Sequence, residues 1–180
     1  VTNRYPRIRP ATAADTPDMA RVHVATWRTD YRGFAPDDYL DALSEDEERR
    51  TYEEIIDNPQ AQAFVAVDAA GRVVGLSTCG PYRYEGSVLS AEFTAELYNL
   101  YVCTDNRKGG AGRRLVEAAA RGLVSRGIMS MMLWTFDGYP SNTFYPRLGG
   151  KIVGRRQAMI GNKVVYDLAF GWEDVRIILL

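Results

Sequence analysis

Eight consecutive residues, Arg107-Lys108-Gly109-Gly110-Ala111-Gly112-Arg113-Arg114, set four cations around four residues with almost no side chain. They follow an apolar, aromatic run, "ELYNLYV", and lead into "LVEAAARGL", whose apolar spacing is helical. The first N–H groups of a helix lack intrahelical partners and lie at the positive end of its dipole. Small residues let a ligand approach those groups, and the arrangement suits an anion, above all a pyrophosphate. A P-loop is excluded because no Lys-Ser or Lys-Thr follows. A dinucleotide fingerprint is poorly matched because Leu115 stands where its third glycine belongs. The spacing R/Q-x-x-G-x-G/A is met by Arg107, Gly110 and Gly112. A glycine-rich connection with solvated arginines is the plainer alternative, since short glycine patterns occur by chance.

Such a turn needs a strand to deliver it and a helix to receive it. "PRIRPAT" reads as a first strand. Thr12 with Asp15 then has the spacing of a capped helix start, followed by Met19, Ala20, His23, Val24, Trp27 and Tyr31 at helical spacing, with a stop at Gly33. Pro36 opens a second helix, and Ser44 with Glu47 caps a third that ends before Pro59. "AFVAVD" and "VVGLSTCG" read as strands joined at Gly71. "FTAELYNLYV" and "IMSMMLWTF" read as buried strands on either side of the helix that starts at the glycine turn. "PSNTFYPRLGG" contains a short helix ended by Gly149, and a terminal hairpin turns on Gly161-Asn162. This order predicts an α/β (α+β by some schemes) fold: a mixed, mostly antiparallel sheet of about seven strands with helices on both faces. The 180 residues suit one domain, spanning 1–180.

Composition sets limits. A formal net charge of −1 gives no whole-molecule attraction to nucleic acid or anionic lipid, so neither is expected as a partner. Cys79, Cys103 and a single histidine, His23, make neither a disulfide framework nor a metal site, and no metal is expected. No apolar run reaches membrane-spanning length and "VTNRYPRIRP" has no signal-like core, so a cytoplasmic, reduced setting is expected.

The order strand, R-x-x-G-x-G, helix, strand, "NTFYPRLGG" resembles the GNAT acyltransferase superfamily over essentially the whole chain. "WRTDYRG" (27–33), "PDDYLDAL" and "FGW" look like a subgroup of small bacterial acetyltransferases. The resemblance implies acetyl-CoA as cosubstrate. It implies a pyrophosphate held by Arg107, Lys108, Gly109, Gly110, Ala111 and Gly112 with Arg113 close by, and a pantetheine arm along the backbone of Leu100, Tyr101 and Val102. Asn142 and Tyr145 match positions at the thioester end. Gly150 departs from the family pattern, which has phenylalanine there, and looser packing beneath the segment is expected.

The reaction implied is direct acetyl transfer to a primary amine of a small molecule. Protein N-terminal or lysine acetylation, or a silent acyl-CoA sensor, are the alternatives. An alkylammonium near pKa ~10.4 is almost wholly protonated at neutral pH, so a base matters. Glu96 matches the strand carboxylate that serves in many family members; a solvated strand-entrance residue is its plainer reading. Tyr145 matches the general acid, against a packed aromatic with a satisfied hydroxyl. A thiol leaves readily near pKa ~8.5, so the acid is expected to matter less than the base. Cys103 and His23 are expected to be structural.

The resemblance also places the acceptor against the first helices, where Trp27, Tyr31 and Tyr39 offer aromatic walls, joined by Tyr82 and Tyr84. Ordinary core packing explains the same spacing. The acidic excess from Asp37 to Asp57 reads either as a solvated helical face or as steering for a polycation. A homodimer paired through the terminal hairpin is a further expectation.

Overall fold

The computed structural model describes residues 5–83 and 88–180. Its strands are β1 (Arg7–Pro10), β2 (Gln62–Val67), β3 (Val73–Pro81), β4 (Ala95–Val102), β5 (Met131–Phe136), β6 (Lys151–Ile160) and β7 (Lys163–Trp172). They form one seven-stranded sheet in the order β1-β2-β3-β4-β5-β7-β6. Every pairing is antiparallel except that of β4 with β5. The helices α1 (Thr16–Asp30), α2 (Asp37–Ala42) and α3 (Glu45–Asp57) separate β1 from β2, and α4 (Ala111–Ser125) joins β4 to β5. The expected mixed, mostly antiparallel architecture is the one observed.

Two core layers sandwich the sheet. Met19, Ala20 and Val22 of α1 and Tyr52 of α3 bury against Val65, Leu76 and Tyr101 on one face. On the other, Val116, Ala119, Ala120 and Leu123 of α4 meet Leu97, Leu133 and Phe170. β3 is buried along nearly its whole length because helices cover both of its faces.

Local chemistry explains the ends of these elements. Asp15 accepts from the Thr12 N–H at 2.8 Å and the Thr12 hydroxyl at 2.9 Å, and both its oxygens take Arg9 donors at 2.7 Å. Chiefly through the Arg9 hydrogen bond, its carboxyl is lowered to about 2. A depressed carboxylate stabilises the fold above its unfolded pKa and loses that contribution as pH falls through the folded value. Asp15→Asn should therefore cost about 1 kcal/mol at pH 7, discounted for the partly exposed Arg9, and the gap to the parent should close as urea titrations move from pH 4 toward pH 2. An undiminished gap at the acid end would contradict this account.

Two expectations are corrected and one turn is added. The segment after β5 is not one short helix but two 3-10 turns, Pro140–Thr143 and Pro146–Leu148, because Pro146 supplies no N–H to bond back into a continuing helix. A further 3-10 turn, Val175–Leu179, closes the chain and buries Val175 and Ile178 beneath α4. Packing under Gly150 is tight, not loose: a Cβ there would lie 2.6 Å from the Trp172 ring and 3.0 Å from the Tyr145 carbonyl oxygen. Trp172, with its indole N–H donated to the Leu148 carbonyl at 2.8 Å, occupies the space a phenylalanine would need.

Among the described residues no helix is long and apolar enough to cross a membrane, and no group of three or more His, Cys, Asp or Glu could hold a metal ion. Tyr84 lies outside the described residues.

Candidate functional site

β4 and β5 pair only at Ala95↔Met131 and Glu96↔Met132, after which the ladder stops. β5 continues in register with β7 to Phe136, so β4 is the strand that leaves. The cause is visible on its other edge. Asn99 pairs with Thr78 but Leu97 with Cys79, so Tyr98 is an extra residue that bends the strand. The bulge also sorts the side chains. Leu97, Leu100 and Val102 pack toward α4, while Glu96, Tyr98, Asn99 and Tyr101 line the opposite side. A wedge results, in which the main-chain groups of β4 that point away from β3, those of Leu100 and Val102 among them, face no strand on the β5 side.

At the wide end of the wedge lies the glycine turn. Lys108 and Gly110 both have positive φ, 63° and 75°, which curls successive N–H groups toward one side. The first bond inside α4 runs from the Arg114 N–H to the Gly110 carbonyl at 3.1 Å, and Gly110 has no side chain to cap the amides before it. A Cβ on Gly110 would meet nothing within 4 Å, so the cradle is open to solvent.

The cations around the turn are engaged differently. Arg107 donates to the Val102 carbonyl at 2.9 Å and pairs with Asp30 at the end of α1, so its guanidinium braces the loop. Arg113 bonds Glu117 at 2.8 Å and Arg114 the Pro6 carbonyl at 2.7 Å. Asn142 is held at both ends of its amide, by the Thr135 hydroxyl at 3.0 Å and the Phe136 carbonyl at 2.8 Å.

The narrow end of the wedge opens into a cleft of ≈ 580 Å³ whose lining includes Trp27, Tyr31, Glu96, Tyr145 and Asp167. Glu96 is 2% exposed, and Arg83 covers it, donating Nη2 at 2.6 Å to one oxygen and Nε at 3.1 Å to the other. Tyr145 packs against Phe170 and Trp172, and burial pushes its phenol up. Its hydroxyl has no hydrogen-bond partner among the described residues. The Trp27 indole donates to the Tyr101 hydroxyl at 2.8 Å, and the ring touches Tyr31 and Tyr39. Burial also raises the Tyr31 phenol, so both phenols hold their protons at neutral pH.

Not every expected residue joins this cleft. Tyr82 packs with Phe93, Met132 and Ala169 in a separate cluster and does not line it; its neighbour Arg83 does. His23 is a core residue, with Nδ1 3.1 Å from the Tyr52 hydroxyl and 3.0 Å from Glu48. Burial lifts the Cys79 thiol to about 12. Cys103 packs at the margin of the core.

Three lining features were not anticipated: Arg83, Trp134, and the pair Arg156–Asp167 at 3.0 Å. Asp167 had a sequence signal, a lone acid inside the apolar strand "KVVYDLAFGW". Arg83 and Trp134 had none.

Comparisons with known proteins bear on the family and the fold. Residues 24–150 match the model of the acetyltransferase (GNAT) family. The chain is 32% identical over 172 residues to the uncharacterized N-acetyltransferase YuaI of Bacillus subtilis (strain 168), covering 93% of each. Among solved structures it superposes on the ribosomal-protein-alanine N-acetyltransferase of Brucella melitensis with a TM-score of 0.74 and 23% identity, covering 92% of this chain and 98% of that one. An aminoglycoside 6'-acetyltransferase type Ii is similar at a TM-score of 0.66 and 26% identity, covering 92% and 96%.

Proposed function

Because this chain belongs to the acetyltransferase (GNAT) family and is an acetyl-CoA-dependent acyltransferase, we propose that it moves the acetyl group to a primary amine of a small molecule, directly and within a ternary complex. One observation carries the reading. The β4–β5 ladder ends after two pairs, and the resulting wedge joins the open glycine turn to the cleft that holds Glu96 and Tyr145. The small-molecule choice draws further support from the likeness to the aminoglycoside enzyme.

The residues fit the coenzyme. In this reading the amides of Lys108 to Gly112 take the pyrophosphate, with Lys108 and Arg113 adding charge, and Arg107 fixes the loop against Val102 and Asp30. Leu100 offers backbone to the pantetheine arm; Tyr101, the register partner of Leu76, turns its main-chain groups to β3, and the Val102 carbonyl already serves Arg107. Asn142 anchors the turn that carries Tyr145 to the end of β5. The thioester supplies an activated acyl carbon. Trp27 and Tyr31 wall the acceptor, and Tyr82 contributes packing.

Glu96 takes a proton from the acceptor ammonium once Arg83 gives up its hold on the carboxylate. The freed amine forms the C–N bond as the C–S bond breaks, with its electron pair leaving on sulfur. Tyr145, on the cleft wall, would pass the sulfur a proton, which the new amide nitrogen would replace. The Leu100 main-chain N–H, on the β5 side of the strand, meets the negative charge that develops on the acyl oxygen. No covalent enzyme intermediate is involved.

The whole chain acts as one acetyltransferase domain in the cytoplasm. A homodimer through the terminal hairpin is supported by exposed Ile152, Met159, Val164 and Tyr166 on β6 and β7, with β6 at the sheet edge. Release of free CoA thiol over a panel of amines tests the proposal. Turnover of N-terminal or lysine peptides in preference to small amines would replace it with protein acetylation, and acetyl-CoA binding without any turnover with a sensor.

A further inference from the structure

We infer that the acceptor is an amine that carries its own carboxylate, of amino-acid type, and that Arg83 is the residue that reads that carboxylate. The inference rests on the acetyltransferase reading and narrows it.

Access to Glu96 sets the problem. The carboxylate is 2% exposed, whereas the Arg83 side chain that clamps it is 53% exposed. Arg83 is fixed from two sides, by Glu96 and by the face of Tyr98, 4.2 Å from its guanidinium carbon. An acceptor ammonium that approaches Glu96 therefore meets a cation first. A simple amine would have to displace the guanidinium from its carboxylate and then stay beside it, a like-charge arrangement in a partly dry cleft. An acceptor with a carboxylate near its amine allows an exchange of partners instead. Its ammonium pairs with Glu96, its carboxylate takes the guanidinium fork, and every charge keeps an opposite neighbour.

The rest of the cleft agrees. Its second carboxylate, Asp167, is also paired, with Arg156, so among the described residues the lining offers no unpaired carboxylate to a polycation. The acids of the 37–57 segment do not supply one, because no residue of that segment lines the cleft.

An independent feature points to a ligand oxygen. Trp134 Nε1 is buried and has no hydrogen-bond partner among the described residues. Buried indole N–H groups are normally matched. Trp134 lies two residues along β5 from Met132, the register partner of Glu96, and hence about 7 Å further along the same side of the strand. An acceptor carrying oxygen close to its amine brings the missing partner to that side.

The test is CoA-thiol release at saturating acetyl-CoA with the twenty amino acids, their methyl esters and amides, and spermidine. For the preferred acceptor, kcat/KM of the free acid should exceed that of its ester and amide by at least about 10-fold, a conservative value for a charge-assisted pair. Arg83→Gln should bring that ratio close to one, and Arg83→Lys should restore part of it. The ratio is internal to each variant, so a general loss of activity through Glu96 does not move it. Esters, amides or spermidine turned over as well as the free acids would overturn the inference and leave the acetyltransferase intact. If nothing in the panel is turned over, the inference is also overturned, and calorimetry with acetyl-CoA then decides whether the acetyltransferase reading falls with it.

Discussion

Gly110→Val should weaken acetyl-CoA binding by about 100-fold, measured by calorimetry on folded protein. Gly110 has φ +75°, a conformation in which a β-branched residue is strained by roughly 1–3 kcal/mol. Relieving that strain straightens the turn and moves the amides that would face the pyrophosphate. A factor of ten corresponds to about 1.4 kcal/mol, so strain alone accounts for roughly 5-fold to 140-fold, and the isopropyl group also fills the approach. Gly71→Val is the matched control. Gly71 has φ +84° in the turn between β2 and β3, far along the chain from the cradle. It should lower the melting temperature while leaving the acetyl-CoA titration as it was. If both variants bound normally, the glycine turn would not be the phosphate site.

The second large effect separates base from acid. Glu96→Gln should lower kcat/KM by about 10²–10⁴-fold, the usual range for a general base. Tyr145→Phe should lose no more than about 10-fold. The asymmetry has a physical source. An alkylammonium must lose a proton before it can attack, whereas a thiolate departs with little help. Burial keeps the Tyr145 phenol protonated, so it is always present as a hydrogen-bond donor, yet a raised phenol yields its proton with less driving force. Steady-state rates at saturating acetyl-CoA, with calorimetry to show that the coenzyme still binds, decide the matter. A Tyr145→Phe loss equal to that of Glu96→Gln would reverse the two roles.

Much of the scaffold was legible because its determinants are local. The capped start at Thr12 and Asp15, the cap at Ser44, the turn at Gly161 and the start of α4 depend on residues within about one helical turn of each other. The misread segment after β5 is instructive. A short helix ended by Gly149 was expected there, but Pro146 removes an N–H that a continuous helix would use. Gly150 was misread for the opposite reason: what fills the space beneath it, Trp172, is distant in sequence.

By itself, the chain determined that a glycine-rich, cationic turn opens a helix after a buried strand, because orphaned amides, missing Cβ atoms and apolar periodicity are properties of neighbours. Only the tertiary structure decided what the turn and the strand face. The extra residue at Tyr98 shifts the register of β4 against β3 and peels it from β5. Arg107 is braced by Asp30, 77 positions away, and Glu96 is covered by Arg83 from across a strand pairing. Such contacts hold only once two packed cores have set the positions of both partners, and no short window of sequence contains both cores.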